Sequence, residues 1–98
     1  MLIENKTDGC RGLLVPHGSI DSTNAQELEK AASGLDFSAL ESLTIDFTDV
    51  DYISSKCLRI LISLSKSLNG GKIGIIGSNS TILDIFRLSG LEKLFDLK

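Results

Sequence analysis

Residues 43–61 read LTIDFTDVDYISSKCLRIL, and this stretch decides the fold. Its first five residues alternate between apolar and polar side chains, as in a β-strand with one buried face. Beyond Ser54 the apolar residues recur at the three- and four-residue spacing of a helix. The stretch therefore predicts a strand over residues 43–47, a loop over 48–53 and a helix that begins at Ser54 and Ser55. The apolar positions of this helix are Leu58, Leu61, Ile62, Leu64 and Leu68.

Two short strands are predicted before this unit. Residues 2–6 and 12–17 flank an Asp8-Gly9 turn, and Asp-Gly is a strong signal for a β-hairpin. Pro16 lies in the second strand, where we expect an edge or bulged position, because proline cannot donate a ladder hydrogen bond. A helix follows, in which Thr23 and Gln26 have the spacing of a capping box. Gly34 is placed to end that helix, whose inner face carries Ala25, Leu28, Ala31, Ala32 and Leu35.

The C-terminal part continues the alternation of helices and strands. Asn69-Gly70-Gly71 is expected to end the second helix, and the apolar run 72–77 predicts a parallel strand covered on both faces. A third helix is capped by residues 78–80 and stops at Ser89-Gly90, and residues 91–97 form a final apolar segment. Such alternation favours right-handed crossovers. The predicted fold is a small α/β layer domain, with a mostly parallel sheet, an N-terminal antiparallel hairpin and helices packed on the sheet.

Composition excludes several classes of function. The chain has 98 residues, a net charge of −3 and no cluster of Lys and Arg, which argues against nucleic-acid binding. The apolar fraction of 42% excludes a disordered chain, and no apolar run is long enough for membrane insertion. The N-terminus lacks the pattern of a signal peptide, and Cys10 and Cys57 are too few for a disulfide-rich secreted domain. We therefore expect a cytoplasmic protein with two free thiols.

Polar residues gather where the strand at 43–47 passes into the helix. In open α/β sheets, binding sites form beyond the carboxyl ends of the strands, and this segment lies there. The simpler interpretation is loop chemistry, because Asp and Ser also favour turns and helix caps. The residues concerned are Asp46, Asp49, Asp51, Ser54 and Ser55.

Catalytic interpretations of these residues find little support. Asp49 and Asp51 form a D-x-D pattern that resembles haloacid-dehalogenase-type phosphotransferases, but the pair lies beyond the strand end, and those enzymes are considerably longer. His17 is the single histidine and would have to serve Ser54 or Ser55 as a base, yet neither serine lies in a G-x-S-x-G motif.

Metal and phosphate sites are equally poorly supported. Cys10, His17 and Cys57 lack paired metal-ligand spacing, and residues 73–80 match no phosphate-binding loop. We expect a protein that is not an enzyme and has no cofactor.

Residues 52–61, YISSKCLRIL, resemble the start of the central helix in the STAS domain, the family of bacterial anti-sigma factor antagonists. Residues 18–21, 43–53 and 85–91 resemble further segments of that family, in the same order. The resemblance covers roughly residues 12–97 and implies that residues 1–98 form a single STAS-like domain.

In the antagonists, this helix start has the pattern D/S-S-x-G-L, and a serine kinase phosphorylates the serine at its second position. In this sequence that serine is Ser55. The resemblance implies that the protein binds a GHKL-type anti-sigma factor serine kinase, is switched off by phosphorylation at Ser55, and regulates sigma-factor-dependent transcription. A PP2C-type phosphatase would restore the unmodified form. Ser54 stands where many members carry Asp, and Cys57 replaces the usual glycine. The implied partner-binding residues are Asp21, Asp49, Asp51, Ser54, Ser55, Lys56, Cys57 and Arg59.

The same resemblance leaves a second function open. STAS modules in lipid-transport complexes and in the tails of anion transporters can work without a switch serine. The alternative is therefore a non-phosphorylated STAS subunit of a lipid-transport ABC complex, and the two functions predict different partners.

Overall fold

The computed structural model describes residues 1–68 and 71–98, and the predicted order of elements is confirmed there. The final apolar segment contributes a fifth, two-residue strand. Of the predicted Asn69-Gly70-Gly71 stop, the first two residues lie outside the described residues. The elements are β1 (Leu2–Asn5), β2 (Arg11–His17), α1 (Ala25–Ser33), β3 (Ser42–Asp46), α2 (Ser55–Ser67), β4 (Gly74–Ile76), α3 (Ser80–Leu88) and β5 (Asp96–Leu97).

The strands form one sheet in the order β1-β2-β3-β4-β5, which is also their order along the chain. β1 and β2 are antiparallel, and each later pair is parallel. The hairpin turns at the predicted place, because Asp8 and Arg11 exchange two backbone hydrogen bonds of 2.8 and 3.0 Å. Gly9 supplies the positive φ, 59°, that the first position of such a two-residue turn favours. The predicted α/β fold class is confirmed.

The two faces of the sheet are unequally covered. Leu14, Leu43, Ile45 and Ile75 are fully buried and share one core with the inward residues of all three helices. The expectation that β4 is covered on both faces is wrong, because the helices pack on the same side of the sheet. The opposite side, which we call the open face, consists of half-buried residues: Glu4, Leu13, Val15, His17, Thr44, Asp46, Gly74 and Ile76.

The prediction of an edge or bulged position for Pro16 is also wrong. β2 lies between β1 and β3, and Pro16 pairs in register with Ile3 of β1. The Leu13 carbonyl accepts a hydrogen bond from the Lys6 N–H (2.9 Å), so the backbone groups of Leu13 point towards β1. Backbone groups alternate in direction along a strand, so those of the even-numbered residues of β2 point away from β1. Pro16 is one of these, and it lies past residues 11–14, which form the ladder with β3. The missing N–H therefore interrupts no ladder.

The start of α1 differs from the predicted capping box at Thr23 and Gln26. The Asn24 N–H donates to the Asp21 carboxylate (3.0 Å), and the Asp21 N–H donates to the Asn24 side-chain oxygen (2.8 Å). This reciprocal pattern is a capping box that begins two residues earlier than predicted. The Thr23 hydroxyl donates to the same Asp21 carboxylate (2.5 Å), and this bond, with the backbone bonds, holds the pKa of Asp21 below its usual value of 3.8.

Candidate functional site

Three of the predicted site residues, Asp49, Asp51 and Ser54, lie on the β3–α2 loop, residues 47–54. It runs alongside the segment that follows β2, with a parallel bridge between Ile20 and Ile53. The Ile20 N–H donates to the Tyr52 carbonyl (2.9 Å), and the Ile20 carbonyl accepts from the Ser54 N–H (2.8 Å). These bonds fix the loop just before α2 begins, so the first turn of the helix has a defined position.

The two adjacent serines have different environments. Ser54 is the N-cap of α2 in an extended conformation, and its hydroxyl accepts from the Cys57 N–H at 3.3 Å. Only 8% of Ser54 is exposed, because the residue lies between the bridge and the core. Ser55 is the first residue of the helix and its side chain is exposed. Ser54 is therefore structural, and Ser55 is the serine that another protein can reach.

Both cysteines are free, as predicted. Cys57 is completely buried, and this burial raises the pKa of its thiol to about 12. Cys57 therefore packs beneath the surface around Ser55 and does not form part of that surface. Cys10 is half-buried in the hairpin turn between β1 and β2.

Charge changes sign where the loop meets the helix. Asp49 and Asp51 on the loop are exposed, whereas Arg59 is exposed and Lys56 half-buried on the first turns of α2. Arg59 follows Ser55 by four residues, a spacing that places both side chains on one helix face. In the part of the chain that the structure describes, neither Lys56 nor Arg59 belongs to an ion pair.

Two of the other predicted site residues stabilise the local backbone. The Asp46 carboxylate accepts from the Thr48 N–H (2.9 Å) and from the Thr48 hydroxyl (2.5 Å) at the exit of β3. Asp21 caps the turn that leads into α1, and it directly follows Ile20, which is hydrogen-bonded to the β3–α2 loop. The interpretation of Asp and Ser as loop chemistry is therefore correct for Asp46 and Ser54.

His17 lies at the end of β2 on the open face and joins two carboxylates. Its Nδ1 is 2.6 Å from Oδ2 of Asp49, and its Nε2 is 2.7 Å from Oε2 of Glu4. The hydrogen bonds to Glu4 and Asp49 raise the pKa of His17 above its usual 6.5, and the bond to His17 lowers the pKa of Glu4 below 4.5. Because both ring nitrogens contact carboxylates, His17 is not placed as a base for Ser54 or Ser55.

Sequence reasoning missed Glu4 and Asn79. Glu4 and His17 lie on the same face of the hairpin, which the alternation of side chains along β1 and β2 could have revealed. The Asn79 side chain caps α3 by accepting from the Ile82 N–H (2.8 Å), and it also donates to the Asp51 carbonyl (3.1 Å). The start of α3 is therefore fastened to the β3–α2 loop.

The described residues contain few features of an active site. Within residues 1–68 and 71–98 no group of three His, Cys, Asp or Glu side chains is arranged to hold a metal, and no helix could cross a membrane. A cleft of about 470 Å³ lies beside α3 and the C-terminal segment. Its lining residues are Leu83, Arg87, Glu92, Phe95, Asp96, Leu97 and Lys98, none of which belongs to the β3–α2 loop.

The comparison with family models decides the family. A model described as the STAS domain matches residues 3–98. The chain belongs to the STAS domain family. The match includes the N-terminal hairpin, so this STAS domain uses all five strands.

Solved structures share the fold of this STAS domain at low sequence identity. An anti-sigma factor antagonist from Mycobacterium paratuberculosis is 24% identical, with a TM-score of 0.87 over 98% of this chain and 83% of that chain. The phosphorylated form of the Bacillus cell fate determinant SpoIIAA is 14% identical, with a TM-score of 0.75 over 99% and 91%. The murine Solute Carrier 26 family member A9 anion transporter is 15% identical, with a TM-score of 0.72 over 90% of this chain and 15% of that chain. A search of curated proteins gave no significant match.

Proposed function

We propose that this STAS domain is a cytoplasmic anti-sigma factor antagonist whose binding to a serine kinase is switched off by phosphorylation at Ser55. The observation that carries the proposal is the exposed Ser55 hydroxyl, which follows a buried, capping Ser54 at the start of α2. In this function the unmodified domain binds a GHKL-type anti-sigma factor kinase and so frees a sigma factor for transcription. A PP2C-type phosphatase restores the unmodified form. The same fold occurs in the phosphorylated form of SpoIIAA.

The contact surface around Ser55 is mixed in charge and contains an aromatic residue. Tyr52 is 49% exposed on the β3–α2 loop, and aromatic side chains of this kind often anchor interfaces. Asp21, Asp49 and Asp51 form the acidic part, and Lys56 and Arg59 form the basic part. Ser54 and Cys57 support this surface from below.

Phosphorylation acts on binding more than on folding. A phosphoserine at Ser55 adds about −1.5 to −2 charges at neutral pH. The dipole of α2 favours this charge by about 0.3–1 kcal/mol, and Arg59 lies one helical turn away. A dry interface must instead desolvate the dianion, which costs several kcal/mol and lowers affinity on the order of a hundredfold or more. The modified domain therefore stays folded and leaves its partner.

Phosphopeptide mapping tests the assignment of Ser55. The purified protein is incubated with ATP and each anti-sigma factor serine kinase of the source organism, and the modified peptide is identified by mass spectrometry. We expect phosphate on Ser55 in the wild type and none in Ser55→Ala. Ser80→Ala is the matched control, because Ser80 is an exposed first residue of α3, and this variant should be modified normally. Phosphate on Ser54 or Ser80 alone would contradict the assignment.

The second candidate, a constitutive subunit of a lipid-transport ABC complex, is favoured by one observation. A STAS fold forms part of a transporter in Solute Carrier 26 family member A9, where it matches 15% of the chain. Affinity purification of the tagged protein from its own cells separates the two functions. Recovery of transporter components, with no kinase and no phosphate on Ser55, would replace the antagonist function by the subunit function.

A further inference from the structure

Three elements of the fold meet at His17. Glu4 extends from β1, His17 ends β2, and Asp49 lies on the β3–α2 loop, so the two contacts of His17 join the hairpin to the loop. The Gly18 N–H also donates to the Asp49 carbonyl (2.8 Å), which holds the backbone of the loop at the same point. The side chains are 31% exposed for His17, 43% for Glu4 and 68% for Asp49, so Asp49 has the most freedom to move into solvent.

The protonation state of the ring follows from these contacts. An ionised carboxylate only accepts hydrogen bonds, and a neutral imidazole has one N–H and one lone pair. Contacts of 2.6 and 2.7 Å to two carboxylates use both ring nitrogens as donors, which only the imidazolium can provide. A neutral ring would turn a lone pair towards one carboxylate oxygen, and that contact would become repulsive.

We propose that His17 is a proton-operated latch, which in its doubly protonated form fastens the Asp49 side chain, and with it the β3–α2 loop, to the N-terminal hairpin. Loss of one ring proton to solvent breaks one of the two hydrogen bonds. The Asp49 side chain is released, because it is the more exposed partner. The backbone bonds of Gly18 and Ile20 to the loop remain, so the opening is local to the Asp49 side chain and the residues beside it and does not unfold the domain.

Charged groups surround His17 on each neighbouring element. On β1, Glu4 bonds the ring, and the charge of Lys6 acts with His17 to lower the pKa of Glu4. On β3, Asp46 shares the open face, but its carboxylate is hydrogen-bonded to Thr48. On the loop, Asp49 bonds the ring, and Asp51 adds a second negative charge two residues later.

The sign of the pH dependence follows from the shifts. The pKa of His17 is raised on folding, so its stabilisation is fully present below the unfolded value near 6.5 and is lost as pH rises through the folded-state pKa. The pKa of Glu4 is lowered, so its contribution is present above 4.5 and is lost as pH falls through its folded-state pKa. The latch is therefore closed between the folded-state pKa values of Glu4 and His17, and it opens as the pH rises through that of His17.

An NMR titration of the protein tests the latch directly. His17 is the one histidine of the chain, so its ring Cε1–H signal needs no assignment by mutagenesis. We expect a titration midpoint above 6.5 in the wild type and a lower midpoint in Glu4→Gln and in Asp49→Asn. Asp51→Asn is the matched control, because it removes one negative charge from the same loop without a bond to His17. Its midpoint should stay closer to the wild type than that of Asp49→Asn.

The backbone amides of residues 48–52 provide the second measurement. We expect them to shift with the same midpoint as the His17 ring in the wild type and to lose that transition in His17→Gln. A wild-type midpoint at or below 6.5, equal effects of Asp49→Asn and Asp51→Asn, or loop amides that do not follow the ring would each overturn the latch. The titration uses no kinase, so its result is independent of whether Ser55 is a phosphorylation site.

Discussion

The starts of α2 and α3 are two nearly identical pieces of backbone with different surroundings. Each begins with an extended N-cap whose side chain accepts from the backbone N–H three residues later, at 3.3 Å for Ser54 and 2.8 Å for Asn79. Each has an exposed serine as its first helical residue, Ser55 and Ser80. Hydrogen-bonding geometry therefore offers a kinase two serines of the same kind.

The difference lies in burial and charge. The cap of α2 is buried whereas the cap of α3 is exposed, and the residue four positions after the serine is Arg59 in α2 but Asp84 in α3. A phosphate on Ser55 would meet a cation on its own helix face, and one on Ser80 would meet an anion. The two helix starts share one backbone geometry, so that geometry does not single out a candidate switch. The burial of the cap and the charge four residues later distinguish Ser55 from Ser80.

The largest expected effect concerns the turn that leads into α3. Gly77 has a φ of 72°, and a Cβ there would lie 2.2 Å from the Thr48 hydroxyl oxygen and 2.8 Å from the Thr48 nitrogen. We expect Gly77→Ala to lower the free energy of unfolding by about 2–4 kcal/mol, measured by urea denaturation. Gly34→Ala, at a φ of −76° with an ordinary contact of 3.6 Å to the Ala31 carbonyl oxygen, should raise it by at most about 1 kcal/mol. Equal effects of the two variants would show that the entry to α3 is no more constrained than the end of α1.

Partner binding is expected to separate the two serines next. Ser55→Asp should weaken binding to the cognate kinase at least tenfold, about 1.4 kcal/mol, because the interface must desolvate the carboxylate. Ser80→Asp and Ser55→Ala should bind within about threefold of the wild type, under 0.7 kcal/mol. Calorimetric titration gives the affinities, and melting curves on the same samples check that all three variants are folded. Equal affinities of Ser55→Asp and Ser80→Asp would mean that the switch surface does not include Ser55.

The caps should contribute more to stability than the exposed serines beside them. Ser54→Ala and Asn79→Ala each remove an N-cap, and we expect each to cost about 1 kcal/mol of unfolding free energy. Ser55→Ala and Ser80→Ala lose no cap and should stay within about 0.5 kcal/mol of the wild type. Denaturant titrations of the four variants provide the comparison. A cost for Ser55→Ala as large as that for Ser54→Ala would reverse the structural and accessible roles of the two serines.

The smallest expected effect isolates the charge at the fourth position. In Ser55→Asp the new carboxylate lies one turn before Arg59, and in Ser80→Asp it lies one turn before Asp84. Both gain from the helix dipole, but the side-chain pairs have opposite signs of about 0.2–0.5 kcal/mol each. Ser55→Asp should therefore be more stable than Ser80→Asp by about 0.5 kcal/mol in low salt. The difference should vanish in 1 M NaCl, and its persistence there would show that screened charge pairs are not its cause.

Local sequence patterns predict the helices, the strands and part of the site. They fail where a residue's environment depends on parts of the chain that are distant in sequence. The alternation in residues 43–47 and the Asp8-Gly9 turn identify strands and hairpin, because both signals are contained in a few consecutive residues. The same patterns predict an edge or bulged position for Pro16, because the strand itself does not show which strand lies on its other side.

The candidate site shows the same division. The Ser54-Ser55 pair is recognisable from the sequence, since capping and helix start are local. Thr23 and Gln26 have the right spacing for a capping box, but Asp21 caps instead, because the pairing of Ile20 with the β3–α2 loop sets where the chain turns. The contact of His17 with Asp49 spans 32 residues along the chain and leaves no local pattern. Its contact with Glu4 is signalled only by the alternation of side chains within the hairpin.

The agreement between strand order and chain order has a consequence for how the molecule is synthesised. Among the described residues, each of β2 to β5 pairs with the strand made immediately before it, so its partner has already been synthesised. A chain that leaves the ribosome N-terminus first can extend its sheet by one strand at a time, with each helix covering the newest strand. The hairpin needs the shortest loop closure, whereas each parallel pair must close a loop that contains a helix. The hairpin can therefore form before the rest of the sheet has been synthesised.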